Sequence, residues 1–252
     1  LFEPHRVAAD QVPFFVEYQM ALKAAGISVP DVFKNSAGQA VSTFKNRPAI
    51  LCSFLPGKTG DAGMVTPEVC RKAGMMLAKM HRVFEDGGAV AARFPENSYG
   101  IKKWVSWVAG MGLGLNKIHD GLFQKVSQDI KIIEKYWPHD LPAGPIHGDF
   151  FPDNVFFDHH TPVGVIDFHF AARDFFVYDL SIAVNAWCFD MVNIFSAQRF
   201  GAMLDGYESV RPLTDAEDKA FPLMRRAAAL RFLLSRCEET LNYDPATMTM
   251  KP

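Results

Sequence analysis

Apolar residues recur at helical spacing over several stretches of this chain and at strand spacing over others. Phe14, Phe15, Tyr18 and Leu22 share one helical face, with Asp10 placed to cap that helix, Pro13 in its first turn and Gly26 to end it. Val29 to Phe33 and Ala49 to Phe54 read as strands, the second a continuous apolar run suited to a buried position. From Gly57 onward the pattern is mainly helical. Thr66 and Pro67 open a helix whose stripe is Val69, Ala73, Met76, Leu77 and Met80, ending before His81; Ile118, Leu122, Val126, Ile130 and Ile133 repeat at the same period in another. Helices are also expected over 179–190 and 196–208. A final long one starts at Thr214, where Glu217 three residues on completes a capping box, and runs to about Leu241. These stripes read as core, and the chain has no internal repeats or low-complexity linkers.

One stretch departs from this pattern. Between Ile146 and Phe168 short β-type runs, Val155 to Phe157 and Val163 to Ile166, flank the segment Asp158 to Pro162, which is a hairpin signal. A hairpin brings its ends together, so Asn154, entering the first strand, and Asp167, leaving the second, are expected side by side. Asp149 precedes them in a loop that Gly148 and Pro152 allow to turn tightly. Phosphoryl transfer needs a carboxylate to orient and deprotonate a hydroxyl, and hard oxygen ligands for the magnesium that bridges the phosphates. Asp149 fits the first role, Asn154 and Asp167 the second. Singly, each reads as an ordinary turn residue beside Gly or Pro; the joint spacing carries the chemistry. His147 reads as a structural donor packed under the loop, because a carboxylate already supplies the base. His159, His160 and His169 could instead join Asp149 and Asp167 in a transition-metal hydrolase site. The first two fall at the hairpin tip, a strand's length from Asp167, which argues against it.

Composition narrows the classes. The 252 residues are 49% apolar and 21% charged with net charge −2, a balance that fits a soluble globular chain and not a basic nucleic-acid binder. The most apolar region, Phe175 to Phe195, is interrupted by Asp179, Asn185, Asp190 and Asn193, so no membrane span is expected. Cys52, Cys70, Cys188 and Cys237 lie far apart without a Cys-x-x-Cys pair, which suggests free thiols in a reducing, cytoplasmic setting.

At His147 to Asp149, Asn154, Ile166 to Phe168, and Asp179 with Leu180, the chain resembles the aminoglycoside phosphotransferase and choline kinase superfamily. Within it, Phe150 to Phe157, Ile166 to Phe189, Arg47 to Gly57 and Ala229 to Arg236 are most similar to the homoserine kinases of threonine biosynthesis, Asn185 to Cys188 being the most diagnostic. The resemblance implies an α+β, two-lobed, protein-kinase-like fold. Residues 1–56 would be part of a small β-rich nucleotide-binding lobe with its hinge, truncated here, and 57–252 a larger, mainly helical catalytic and substrate-binding lobe with the catalytic hairpin, the site lying in the cleft. It implies ATP and Mg2+ as cofactors, with the backbone of Ser53, Phe54 and Leu55 against the adenine edge, and Asp179 propping the catalytic loop through backbone hydrogen bonds. Asp179 as a helix N-cap is the plain alternative. Leu1, Phe2 and Glu3 look like the end of a strand, and the superfamily's phosphate-binding lysine would fall at or before Leu1. Phe15 stands where the superfamily has an acid, a departure the homoserine kinases share. The end at Lys251 and Pro252 looks early for this family.

The implied substrate is a small molecule, L-homoserine. As a zwitterion it needs a cation for its carboxylate. Arg231 is the first candidate, since it lies in an apolar helical stretch where a guanidinium is costly unless paired; Arg173 is the second, and Asn185 and Trp187 are candidate pocket residues. A kinase for choline, a sugar or an aminoglycoside, and a nucleotide-binding pseudokinase, are the alternative readings. The three intact residues Asp149, Asn154 and Asp167 speak against the last.

Overall fold

A computed structural model describes residues 2, 7–60, 62–159, 161–190 and 192–242. Leu1, Glu3, His160, Lys251 and Pro252, singled out above, lie outside the described residues. In chain order the elements are α1 (Val12–Ala24), β1 (Val32–Phe33), β2 (Ser42–Phe44), β3 (Arg47–Ala49), β4 (Leu51–Cys52), β5 (Lys58–Thr59), α2 (Pro67–Arg82), α3 (Ala89–Arg93), α4 (Ile101–Met111), α5 (Leu122–Tyr136), β6 (Ala143–Ile146), β7 (Val155–Asp158), β8 (Thr161–Val165), β9 (Ala172–Phe175), α6 (Phe176–Trp187), α7 (Ala197–Glu208) and α8 (Asp215–Leu241). The strands pair antiparallel in small groups: β1 with β4, β2 with β3, β6 with β9, and β5, β7 and β8 in a three-stranded sheet.

The described residues divide into two compact units, one drawn from Leu1–Asn97 and Leu141–Lys219, the other from Ser98–Asp140 and Ala220–Pro252. In the first, α2 packs along α7. Thr66 caps α2 by accepting from the Val69 N–H at 3.2 Å, and Ser196 caps α7 by accepting from Arg199. Val69, Cys70, Ala73, Leu77, Met80 and His81 form the buried face of α2. The two helices touch backbone to backbone: a Cβ built on Gly206 would lie 2.0 Å from the Arg71 carbonyl oxygen. In the second unit, α4 and α5 bury Trp104, Trp107, Val126, Ile130 and Ile133. The Trp104 indole donates to the Tyr99 carbonyl at 2.6 Å and meets Trp137 edge-on. Arg226 of α8 pairs there with Asp129 of α5.

The capping box stands as expected. Glu217 N–H donates to the Thr214 hydroxyl at 3.2 Å, and Thr214 N–H to the Glu217 carboxylate at 3.0 Å. Four expectations need correction. Asp10 does not cap α1: the chain enters through a turn closed by Gln11 N–H to Ala8 O, and Gln11 already has helical dihedrals. The run from Ala49 to Phe54 is not one buried strand. It splits between β3 and β4, and Leu51 is exposed opposite an exposed Phe33, because a two-stranded ribbon leaves a face uncovered. Ile118 lies before α5, which starts after Gly121 in the left-handed region. The helix expected from Asp179 begins at Phe176 and ends at Trp187, so Asp179 sits inside its first turn and is not its N-cap.

The contact at Gly206 makes a simple expectation. Gly206→Ala must push α7 off the α2 backbone and should cost about 1–3 kcal/mol. Gly201→Ala on the same helix meets nothing within 4 Å and should gain up to about 1 kcal/mol from helix propensity. Thermal unfolding of the two variants checks this, and equal midpoints would remove the close approach.

Candidate active site

The hairpin of β7 and β8 is registered Val155 to Val165 and Phe156 to Gly164. Beyond that register the Ile166 N–H donates to the Asn154 carbonyl at 3.0 Å, so the backbone bond that closes the hairpin's open end joins Asn154 to the residue before Asp167. Asn154 ends a single 3-10 turn over Pro152–Asn154 and is buried. Its amide Nδ2 donates to the Asp149 backbone oxygen at 2.8 Å and to Asp149 Oδ2 at 3.0 Å. Both bonds come from the amide nitrogen, and the amide oxygen takes no part in them. Asp167 has φ of 68°, the left-handed region where Asp is among the few tolerated residues. It stays partly exposed and pairs with His169 Nδ1. It also lines a cleft of about 170 Å³ with His169, Phe15, Gln19, Ile50 and Cys52.

The loop carrying Asp149 is held from behind. β6 leads into it and pairs with β9, Ile146 opposite Ala172 and Gly144 opposite Asp174. Gly148 has φ of 74°, and a Cβ there would stand 2.6 Å from the Phe170 carbonyl oxygen, so the loop and the segment after Asp167 approach too closely for any side chain. His147 is wholly buried. Its Nε2 lies 3.0 Å from the Ile166 carbonyl and so carries the hydrogen, while Nδ1 accepts from the Asp149 N–H at 3.2 Å. Asp179, also wholly buried, accepts from the His147 N–H at 2.8 Å and the Gly148 N–H at 2.9 Å. Burial opposes its ionisation, but the hydrogen bonds from His81 and from the His147 N–H outweigh burial and hold the carboxyl below its ordinary range.

The other expected site residues are less uniformly placed. Ser53 donates its N–H to the Asp31 carbonyl at 2.9 Å, so its own carbonyl is what it can offer a base edge; Phe54 projects almost fully into solvent and Leu55 packs against Gly164. Arg173 is half-exposed and ion-paired with Glu96 at 3.0 Å. Asn185 is half-buried on α6. Trp187 is a correction: its ring is wholly buried, stacked on Phe150, and its Nε1 donates to the Phe150 carbonyl at 2.8 Å, which leaves no surface for a ligand and makes it a clamp on the catalytic loop. Arg231 lies in the second unit, buried, with its guanidinium 5.2 Å from the Tyr99 ring centre and 4.0 Å from that of Phe232. His169, weighed above only as a metal ligand of another chemistry, emerges as the neighbour of Asp167.

The model of the phosphotransferase enzyme family matches residues 1–213. The homoserine kinase of Methylobacterium radiotolerans is 39% identical over 247 residues, 98% of this chain and 75% of that protein. The chain belongs to the phosphotransferase enzyme family, in its homoserine kinase group. Among solved structures of the same fold, an amicoumacin kinase superposes with a TM-score of 0.72 at 16% identity, over 97% of this chain and 74% of that one. A Plasmodium vivax ethanolamine kinase superposes with a TM-score of 0.68 at 13% identity, over 97% and 70%. These likenesses show the α+β, protein-kinase-like fold. The Asp179 carboxylate that takes the two loop N–H groups matches what the resemblance implied for that position. Among the described residues, no helix is long and apolar enough to cross a membrane.

Gly148→Ala should lower turnover by more than about tenfold, since an L-residue in the left-handed region costs about 1–2 kcal/mol even before the clash with Phe170. Phosphoryl-transfer assays of the folded variant check this, and near-normal turnover would free the loop from that constraint. A second expectation concerns Asp174, bonded by Asn97 Nδ2 at 2.7 Å and the Phe175 N–H at 2.8 Å. Desolvation lifts its carboxyl to about 6. The folded chain therefore binds more protons than the unfolded one between about pH 4 and pH 6, and stability falls as pH rises through that window. Asp174→Asn should remove this fall, gaining on the order of 2 kcal/mol relative to the parent between pH 4 and pH 7. Urea unfolding at both pH values reads it; parallel pH profiles would show that burial does not perturb the carboxyl.

Proposed function

We propose that this chain transfers the γ-phosphoryl group of ATP, with Mg2+, to the side-chain hydroxyl of L-homoserine, giving O-phospho-L-homoserine in the cytoplasmic synthesis of threonine. The observation that carries the reading is the pair of hydrogen bonds that Asn154 Nδ2 donates to Asp149, together with the backbone hydrogen bond that sets Asn154 beside the approach to Asp167. The 39% identity to a homoserine kinase supports the choice of acceptor.

The donor set fits magnesium. Among the described residues no group of three or more His, Cys, Asp or Glu could hold a metal unaided. Magnesium instead takes one or two protein oxygens and fills its octahedron with water and phosphate. Asp167 and the Asn154 amide oxygen would supply those two. Bound Mg2+ and ATP bring the transferable phosphoryl group and neutralise its charge. The chain's own residues orient. The Asn154 amide fixes the rotation of the Asp149 carboxylate, and that carboxylate accepts the hydrogen bond, then the proton, of the acceptor hydroxyl. Because the transition state of such transfers is loose, the base contributes alignment as much as proton removal. Ser53, Phe54 and Leu55 are assigned to the adenine edge, with 1–56 as part of the nucleotide-binding lobe and 57–252 as the catalytic lobe. Arg231, the first candidate, and Arg173, half-exposed and ion-paired with Glu96, are the cations assigned to the substrate carboxylate, with Asn185 beside the pocket.

Asp149→Asn should reduce kcat by at least about a hundredfold and leave the KM for ATP nearly unchanged, because its interaction matures in the transition state. An ATP-consumption assay across homoserine, choline, methylthioribose and an aminoglycoside tests the acceptor. Saturable turnover with homoserine is expected; turnover on another alcohol with homoserine inert would overturn the proposal.

A further inference from the structure

Behind Asp179 the first unit buries a chain of polar side chains that the chemistry above does not use. His81 of α2 lies with Nε2 3.0 Å from Asp179 Oδ2 and Nδ1 2.7 Å from the Tyr207 hydroxyl. Tyr207 of α7 in turn receives Arg211 Nη1 at 3.2 Å. Arg211 is ion-paired with Glu217 at 2.9 Å and Glu85 at 3.0 Å, and its guanidinium lies over the Phe176 ring. His81, Asp179, Tyr207 and Glu217 have no exposed surface, and Arg211 has 1%.

Donor and acceptor rules give this chain a direction. Arg211 can only donate, so the Tyr207 oxygen accepts from it and the Tyr207 hydrogen goes on to His81 Nδ1. The histidine hydrogen then sits on Nε2 and is donated to Asp179. Burial lowers the basicity of His81, only partly offset by Asp179, which keeps the ring neutral in that tautomer.

We propose that His81 and Tyr207 are positioning residues for phosphoryl transfer: a one-way series of donated hydrogen bonds from Arg211 to Asp179 fixes the orientation in which Asp179 receives the His147 and Gly148 N–H groups, and so sets the turn that presents Asp149. The inference rests on the kinase reading only for its activity readout. The expected difference in protonation between the ring nitrogens that face Asp179 and Tyr207 does not depend on the substrate.

The test has two arms. In the parent protein labelled with 15N-histidine, His81 is expected as the neutral Nε2–H tautomer; an Nδ1–H ring or an imidazolium overturns the proposal without reference to activity. In kinetics, Tyr207→Phe should lower kcat about tenfold with the KM for ATP within about twofold, since the loss falls on alignment of the base and not on nucleotide binding. His81→Gln places an amide nitrogen near the Nε2 position, so it should keep about fivefold more kcat than His81→Asn, whose amide reaches only the Nδ1 position. Parent-level kcat in Tyr207→Phe, or equal kcat in the two His81 variants when corrected for folded protein, overturns it. Parent protein inert toward homoserine but showing the expected tautomer would reject the substrate and keep the relay.

Discussion

A buried carboxylate that takes hydrogen bonds from two consecutive loop N–H groups and from a histidine holds everything else in this site. Asp179 can stay charged with no exposed surface only because all three donors reach it. The loop in turn holds Gly148 at positive φ with its N–H captured by Asp179. Removing either party would strand the other. A buried ionic group deprived of its partners costs several kcal/mol, whereas the intact arrangement fixes geometry more than it adds stability.

The reacting edge is built from backbone as much as from side chains. The hairpin of β7 and β8 sets Asn154 beside the approach to Asp167 through one main-chain bond, and Asn154 ties Asp149 to the same edge through its amide. Trp187 presses Phe150 from beneath and Phe170 abuts Gly148. The acidic residues are thus held by backbone bonds and by neighbouring side chains. Alignment of this kind suits a reaction whose transition state forms few new bonds and gains mostly from placement of charge.

What could be read from residues alone follows how far apart the interacting groups lie. The meeting of Asn154 with Asp149 and with the approach to Asp167 was legible because a hairpin is local, and its two apolar runs and turn residues sit within a few positions of these side chains. The helix start at Thr66 and the capping box at Thr214 were legible for the same reason, since each side chain bonds a backbone group three residues away. Asp10 misled because cap chemistry alone does not reveal a preceding turn already in helical dihedrals. The pairing of β6 with β9 gave no signal: Gly144 and Pro145 in one strand and Arg173 and Asp174 in the other break the apolar alternation, and the ladder is stabilised by long-range register. The apolar run at Ala49 to Phe54 overstated burial, because periodicity cannot say how many strands will lie beside it.

Least legible was the polar support. His81 follows an apolar stripe by one residue and reads as the end of a helix face, while Tyr207 and Arg211 sit on an unremarkable helix end more than a hundred residues later. Nothing local marks them as one structure. α2 and α7 pack backbone to backbone where Gly206 meets Arg71, and His81 at the far end of α2 reaches Tyr207 across the same pair of helices. The tight helix contact and the polar series are therefore one device. The small residue lets the helices close, the closure excludes water from His81 and Tyr207, and exclusion of water gives each hydrogen bond in the series its directional force on the loop.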